Sequence, residues 1–139
     1  MKEANRNNSL MGCSAMGTTE GEIALEDVPC GVLSGHAYSI IDVIEIEVEL
    51  TNNDGDRYSK QEKLVRCRNP WGKKEWNGAW SDGSEELSDN MKALNGYIMQ
   101  YNLAQEKKYE DNPALIDKKD KFDEDSNDGT FLISFDDWR

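Results

Sequence analysis

The clearest hydrophobic pattern in the sequence is a strict alternation near its middle. Ile44, Ile46, Val48 and Leu50 alternate with three glutamates, and because successive side chains of a strand point to opposite faces, this predicts a strand with one buried and one solvated face. Residues 51–56 (TNNDGD) form a strong turn signal, since Asn, Asp and Gly tolerate positive φ. Residues 62–69 then return as a second strand, so an antiparallel hairpin is the simplest topology.

Beyond the hairpin, the period of the pattern changes from two to about three and a half. We expect a helix over about 84–110, with apolar residues at helical spacing: Leu87, Met91, Leu94, Ile98 and Tyr101. Residues 105–128 are highly charged and are expected to form a mobile surface insertion. Residues 129–135 (GTFLISF) predict a last strand, with Phe131, Ile133 and Phe135 on one face. The predicted fold class is α+β, mainly antiparallel β, with a helical insertion around 85–110.

The charge balance narrows the possible partners and compartments. The chain has 16 basic against 28 acidic side chains, a net charge of -12, so it offers no basic field for nucleic acid or for an anionic membrane. No apolar run approaches the roughly 20 residues that span a bilayer, and the first ten residues lack the apolar core of a secretory signal. Three scattered cysteines without a CxxC pair favour reduced thiols in the cytoplasm and disfavour a structural zinc site.

One stretch, RCRNPWG at 66–72, ends the second strand at an amide side chain. The proline that follows Asn69 pushes it away from helical geometry, and the indole of Trp71 stands beside it. The single histidine, His36, follows Gly35, which permits close backbone approach by a ligand. A lone histidine is more often structural than catalytic. However, a strand–turn–strand path connects these side chains, and an amide oxygen that accepts from one imidazole nitrogen would aim the other nitrogen outward.

Five segments resemble the second half of the calpain protease core, in the order in which that family carries them. They are SLMGCS (9–14), SGHAYSI (34–40), LVRCRNPWG (64–72), EWNGAWSD (75–82) and DGTFLISFDDW (128–138). The resemblance implies a papain-like cysteine protease fold, of which this chain is the C-terminal, β-rich half. It places the histidine and asparagine of the catalytic triad on His36 and Asn69, with Trp71 covering the pair and Gly35 beside it.

The nucleophile of that family is a cysteine in an upstream helical half, and no matching motif is present in this chain. Cys13 falls in a stretch that is not catalytic in the family, Cys30 lies in an unpatterned loop, and Cys67 is a strand residue. None of them precedes a helix N-terminus or a cationic pocket that would lower a thiol pKa. We therefore expect a chain that supplies a general base and its orienting amide, is inactive alone, and has the upstream Cys-bearing half as its partner.

Calcium is the expected cofactor, through a site that the resemblance implies. The run DEDSNDG (123–129) does not fit an EF-hand loop in either register, because the sharp-turn glycine and the final glutamate never coincide. The ligand positions of the family fall instead on the carboxylates of Glu75, Asp82 and Asp128 and on the backbone carbonyl of Ser126. A further acidic position is Thr130, which carries no charge and should weaken Ca²⁺ affinity. A solvated acidic face would explain the same residues without a metal.

These features predict one domain over residues 1–139, the His/Asn half of a calpain core, with a charged insertion at about 85–127. The implied function is a subdomain of a calcium-dependent, intracellular cysteine endopeptidase that performs limited proteolysis of protein substrates. Two alternatives stay open: a non-catalytic calpain-like module that binds calcium or a partner, and an unrelated β-sandwich binding domain. We also expect an open cleft wall, with Trp71 and Tyr38 exposed.

Overall fold

The computed structural model describes residues 1–7, 9–15, 30–111 and 128–139. Its elements, in chain order, are α1 (Lys2–Arg6), β1 (Met11–Ser14), β2 (Ala37–Thr51), β3 (Arg57–Arg68), α2 (Glu85–Asp89), α3 (Met91–Asp111), β4 (Thr130–Ser134) and α4 (Phe135–Trp138). Serine hydroxyls cap the N-termini of α2 and α4 by accepting a backbone N–H three residues on. Within the described ranges, no helix is both long and apolar enough to cross a bilayer.

The strands form one antiparallel sheet in the order β1-β2-β3-β4. The central element of the sheet is the hairpin of β2 and β3, whose residue pairs run from Ser39 opposite Arg68 to Thr51 opposite Arg57. β1 pairs only with the start of β2, and β4 only with the end of β3. The sheet is therefore four strands wide at the end where β2 begins and β3 finishes, and only two strands wide near the turn.

The two faces of the sheet bury separate apolar clusters. One face packs beneath α2 and α3, with a core of Ile44, Ile46, Val48, Leu64, Trp80, Leu94 and Leu132. The other face buries Tyr38, Ile40, Val65, Cys67, Phe131 and Ile133, against which Trp76, Phe135 and Trp138 pack. The alternation of β2 follows the predicted period of two, and Phe131 and Ile133 of β4 lie on one face as predicted. The prediction that Phe135 continues this strand is wrong, because β4 ends at Ser134, whose hydroxyl caps α4, and Phe135 begins that helix. The mixed α+β class with an antiparallel sheet is confirmed.

The structure differs from the sequence prediction in the start of β3 and in the presence of α1, β1 and α4. β3 begins at Arg57 rather than at residue 62, because hydrogen bonds to β2 extend the strand through residues that are exposed and show no apolar alternation. The polar residues at the start of the chain form α1, which docks through an ion pair from Lys2 to Glu45. Asn5 of the same helix donates from Nδ2 to Oδ1 of Asp42 at 2.5 Å. Neither contact is visible in local periodicity.

Helix α3 is joined to the sheet by a buried polar contact. The Tyr97 hydroxyl donates to Oδ2 of Asp42, 55 positions earlier in the chain, and Asp42 is only 2% exposed. The predicted helix around 85–110 is thus present as α2 and α3. Residues 112–127, which carry most of the predicted charged tail, lie outside the described residues, so the domain and insertion boundaries stay predictions.

Candidate functional site

The candidate site forms where β2 begins and β3 ends. Because the two strands are antiparallel, with Ser39 opposite Arg68, the residue just before β2 and the residue just after β3 lie side by side. These residues are His36 and Asn69. Nε2 of His36 lies 2.9 Å from Oδ1 of Asn69, across 33 positions of sequence. The strand–turn–strand path therefore brings together the two side chains that the motifs single out.

The amide of Asn69 is held on both sides. Its Nδ2 donates to the backbone carbonyls of Lys73 and Lys74 at 2.7 and 2.9 Å, and its Oδ1 also accepts from the backbone N–H of Trp71 at 3.0 Å. The residue is completely buried. Both amide protons are thus committed, so the oxygen must face the imidazole. The two lysine carbonyls are functional groups that sequence reasoning missed, because Lys74 has a positive φ of 69° that no local signal indicates.

This arrangement determines which imidazole nitrogen can act as a base. An amide oxygen only accepts hydrogen bonds, so Nε2 of His36 must carry the proton that it shares with Asn69. In the neutral ring, Nδ1 then holds the free lone pair. His36 as a whole is half-buried. An imidazole held in this way has the fixed orientation that a general base needs.

Aromatic rings surround the imidazole on two sides. The Trp71 ring lies against His36 with centroids 4.3 Å apart and planes tilted by 50°, and Tyr38 meets it edge-on at 5.0 Å. Trp71 is 51% exposed, whereas Tyr38 is 4% exposed. The expectation of an exposed Tyr38 is therefore wrong: its hydroxyl accepts from the Leu33 N–H at 2.8 Å, and its ring is part of the core.

Two glycines, Gly35 and Gly129, shape the backbone beside His36 and Asn69. Gly35 has φ of +71°, and an added Cβ there would meet nothing within 4 Å, so the backbone beside His36 is open to an approaching chain. Gly129 has φ of +86°, and a Cβ there would lie 2.8 Å from the backbone oxygen of Asn69. That closeness permits the Gly129 carbonyl to accept from the Asn69 N–H at 2.7 Å. The residue just before β4 is thus hydrogen-bonded to the backbone of Asn69, where the loop after β3 begins.

The proposed calcium ligands are only partly brought together. Oε1 of Glu75 accepts from the Gly129 N–H at 2.8 Å, which places this carboxylate next to Asp128, whose Oδ1 accepts from the Thr130 N–H at 2.6 Å. Asp82 is exposed on the loop before α2, and Ser126 lies outside the described residues. Within the described part of the chain, no three His, Cys, Asp or Glu side chains converge as metal ligands would.

The cysteines differ from the sequence expectation in one respect. The Cys67 thiol and, more weakly, the Trp138 indole lower the pKa of Cys13 to about 6, against the opposing effect of burial. Neither cause is a helix N-terminus or a cation, so the pKa is lowered by groups that the sequence expectation did not consider. The cause is a neighbouring thiol and an indole N–H, which reach Cys13 only because β1, β3 and α4 pack together. All three cysteines are free thiols.

Comparisons with known proteins show the family to which the chain belongs. The family model described as calpain family cysteine protease matches residues 1–139. Calpain-8 of Rattus norvegicus is 33% identical over 138 residues, which cover 99% of this chain and 15% of that protein. Calpain-A of Drosophila melanogaster is 39% identical over 87 residues, covering 62% of this chain and 10% of that protein. The chain thus spans only 10–15% of the length of these two relatives. It belongs to the calpain family of cysteine proteases.

Proposed function

We propose that this chain supplies the general base and its orienting amide to a calpain-type cysteine endopeptidase. The observation that carries the proposal is the His36–Asn69 hydrogen bond at 2.9 Å, in which the amide is locked by two backbone carbonyls. The nucleophilic cysteine would come from an upstream half of the protease core, so the chain alone would be inactive. Its substrates would be extended segments of other proteins, cleaved by limited proteolysis. The three free thiols suit a reducing, cytoplasmic setting.

Each residue has a distinct part in the proposed reaction. Nδ1 of His36 takes the proton of the attacking thiol, and the imidazolium later returns a proton to the leaving amine. Asn69 accepts from Nε2 in both protonation states, which holds the ring in one orientation while its charge changes. The indole of Trp71 covers one face of the ring and excludes water from the hydrogen bond, and Gly35 leaves room for the substrate backbone.

Cleavage of a quenched fluorescent peptide tests this proposal. The protein is the chain extended upstream by the Cys-bearing half-core, assayed with and without millimolar Ca²⁺. We expect calcium-dependent cleavage that His36→Ala abolishes and that Lys92→Ala, an exposed change on α3, leaves intact. A folded extended protein that cleaves nothing would contradict the protease proposal and favour the alternative, a non-catalytic module that binds calcium or a partner.

The proposal includes a calcium ion, bound by the two loops beside the Asn69 amide. Glu75 and Asp128 would hold it, together with Asp82 and the backbone carbonyl of Ser126. Carboxylate and carbonyl oxygens are the ligands that Ca²⁺ prefers, and the contact of Glu75 with the Gly129 N–H already joins two of the loops involved. A bound cation would add charge stabilisation that fixes the loop that follows Trp71. The uncharged Thr130 at a further ligand position weakens the expected affinity.

Calorimetric titration of the chain with CaCl₂ tests this part by itself. We expect binding in the wild type, and at least tenfold weaker binding in Glu75→Gln and in Asp128→Asn. Asp89→Asn, an exposed change at the end of α2, is the matched control and should bind as the wild type does. A Glu75→Gln variant with wild-type affinity would remove that ligand from the proposal, whatever the outcome of the peptidase assay.

A further inference from the structure

The outer edge of strand β2 is uncovered over its second half. β1 pairs only with residues 37–40 of β2, and α1 packs against the next stretch, where Lys2 forms an ion pair with Glu45. In the described part of the chain, no strand pairs with residues 46–51 on this side, and we call them the open edge of β2. Such an edge presents unpaired backbone N–H and C=O groups, to which a further strand can be added.

The open edge lies at the end of the sheet away from the candidate site. Ala15, the last described residue before residues 16–29, forms a bridge with Ser34 just before β2 begins. At about 3.3 Å per residue, the open edge starts roughly 30 Å further along β2. Asp128 lies beside the start of β4, which pairs with the last residues of β3. The open edge is thus well separated from these boundaries and consists of described residues alone.

A row of three exposed glutamates, Glu45, Glu47 and Glu49, follows this edge on one face of the sheet. Glu45 pairs with Lys2 and lies opposite Lys63 of β3. The residues of β3 opposite Glu47 and Glu49 are uncharged, and among the residues that the structure describes neither of these glutamates forms an ion pair. Positive charge for these two side chains is therefore missing on the β3 side and can come from the open side of β2.

The other face of the same edge is apolar. Ile46 and Val48 are buried beneath α3, and the partly buried Leu50 packs against the same cluster. Because successive side chains of a strand point to opposite faces, an added strand would place every second side chain beside these apolar residues and the others beside the glutamates. Both strands repeat every two residues, at about 6.6 Å, so one basic side chain can meet each glutamate. The edge thus fits a segment in which basic and apolar residues alternate.

We propose that the open edge of β2 binds an extended segment of another protein, in which lysine or arginine alternates with apolar residues, by addition of a strand to the sheet. Backbone hydrogen bonds along residues 46–51 supply affinity, and Glu47 and Glu49 select for basic side chains. The apolar side chains of the segment widen the core between the sheet and α3. This interaction is separate from the proposed peptidase activity.

A second copy of this chain is an occupant that the charges disfavour. Pairing β2 with β2 of a second copy would set the two glutamate rows side by side, and like charges on neighbouring strands are destabilising. Each chain also carries a net charge of -12, so two copies repel each other at low salt. The same net charge attracts a basic segment and speeds its association.

Fluorescence anisotropy of three labelled eight-residue peptides, titrated with the 139-residue chain, tests the proposal. In the first peptide lysine alternates with valine, and the second has glutamate in place of each lysine. The third is the first peptide with every backbone nitrogen methylated, so that it keeps the charges and side chains but has no backbone donors. We expect only the first peptide to bind. Amide hydrogen exchange of residues 46–51 should slow when it is bound.

Two variants locate the contact on the chain. Glu47→Gln and Glu49→Gln should each weaken binding of the lysine–valine peptide by roughly two- to fivefold, which is the effect of one cross-strand pair of opposite charge. Asp89→Asn, an exposed change at the end of α2, removes the same charge elsewhere and should bind as the wild type does. Circular dichroism of each variant shows whether it is folded.

Three outcomes would contradict the proposal. Equal binding of the methylated peptide, or an equal loss in Asp89→Asn, would show attraction by net charge alone and would overturn the addition of a strand. No binding of the lysine–valine peptide at millimolar chain concentration would remove the site. Concentration-dependent self-association of the chain, measured by analytical ultracentrifugation and lost in Glu47→Lys, would assign the edge to a second copy instead. None of these measurements depends on peptidase activity.

Discussion

Replacing Asn69 by alanine should destabilise the chain by about 2–4 kcal/mol, because four hydrogen bonds converge on one buried amide. Two run from Nδ2 to lysine carbonyls, and Oδ1 accepts two, from the histidine ring and from the Trp71 N–H. At about 0.5–1.5 kcal/mol net for each bond, their sum is about 2–6 kcal/mol. The lower half of this range applies, because Lys73 and Lys74 are exposed and water can reach their carbonyls after the change.

Urea unfolding followed by tryptophan fluorescence measures this loss directly. Asn53→Ala, in the exposed turn between β2 and β3, is the matched control and should change the free energy of unfolding by less than about 0.5 kcal/mol. Asn69→Asp has the wild-type size but sets a carboxylate oxygen against two carbonyls, so its deficit should be largest near pH 7 and smaller in acid, where the carboxyl is protonated. A loss below about 1 kcal/mol for Asn69→Ala would refute the idea that the amide holds its loop.

Three further predictions concern the surroundings of the site. Gly129→Ala should cost at least about 2 kcal/mol in urea unfolding and should lower peptidase activity of the extended protein, because a Cβ would lie 2.8 Å from two backbone atoms of the amide-bearing loop at a φ of +86°; an unchanged midpoint would contradict this. Tyr97→Phe removes the hydroxyl that donates to the buried Asp42 and should lower the free energy of unfolding by roughly 2 kcal/mol. The loss should come mainly from a looser α3, seen as faster amide hydrogen exchange in that helix than in the wild type. Unchanged protection of the α3 amides would contradict this. The free energy of unfolding of the wild type should also be compared with that of Cys13→Ser. The difference between them should grow by roughly 1–2 kcal/mol, after solvent screening, from pH 5.5 to 8.5. A thiol pKa that is lower in the folded chain stabilises the fold fully above the pKa of the unfolded chain, and this gain is lost as the pH falls through about 6. A flat difference across this range would contradict the lowered pKa of Cys13.

The sequence by itself determined the parts of the structure that depend on local order. The alternation from Ile44 to Leu50 predicted β2 and its buried face, because a period of two needs only neighbouring residues. The proline after Asn69 predicted the end of β3, and the helical spacing of apolar residues indicated α2 and α3. The resemblance of the histidine and Asn-Pro-Trp motifs to calpains then identified which two side chains would meet.

Only the tertiary structure decided the contacts that join distant segments. The positive φ of Lys74 turns two carbonyls toward Asn69, and that hydrogen-bonding pattern makes Nδ1 of His36 the free nitrogen. Cys13 and Cys67 share one face of the sheet because their strands flank β2. Such contacts depend on register, on loop conformation and on which elements pack together. These properties are set by the free energy of the whole fold, and no short stretch of sequence carries them.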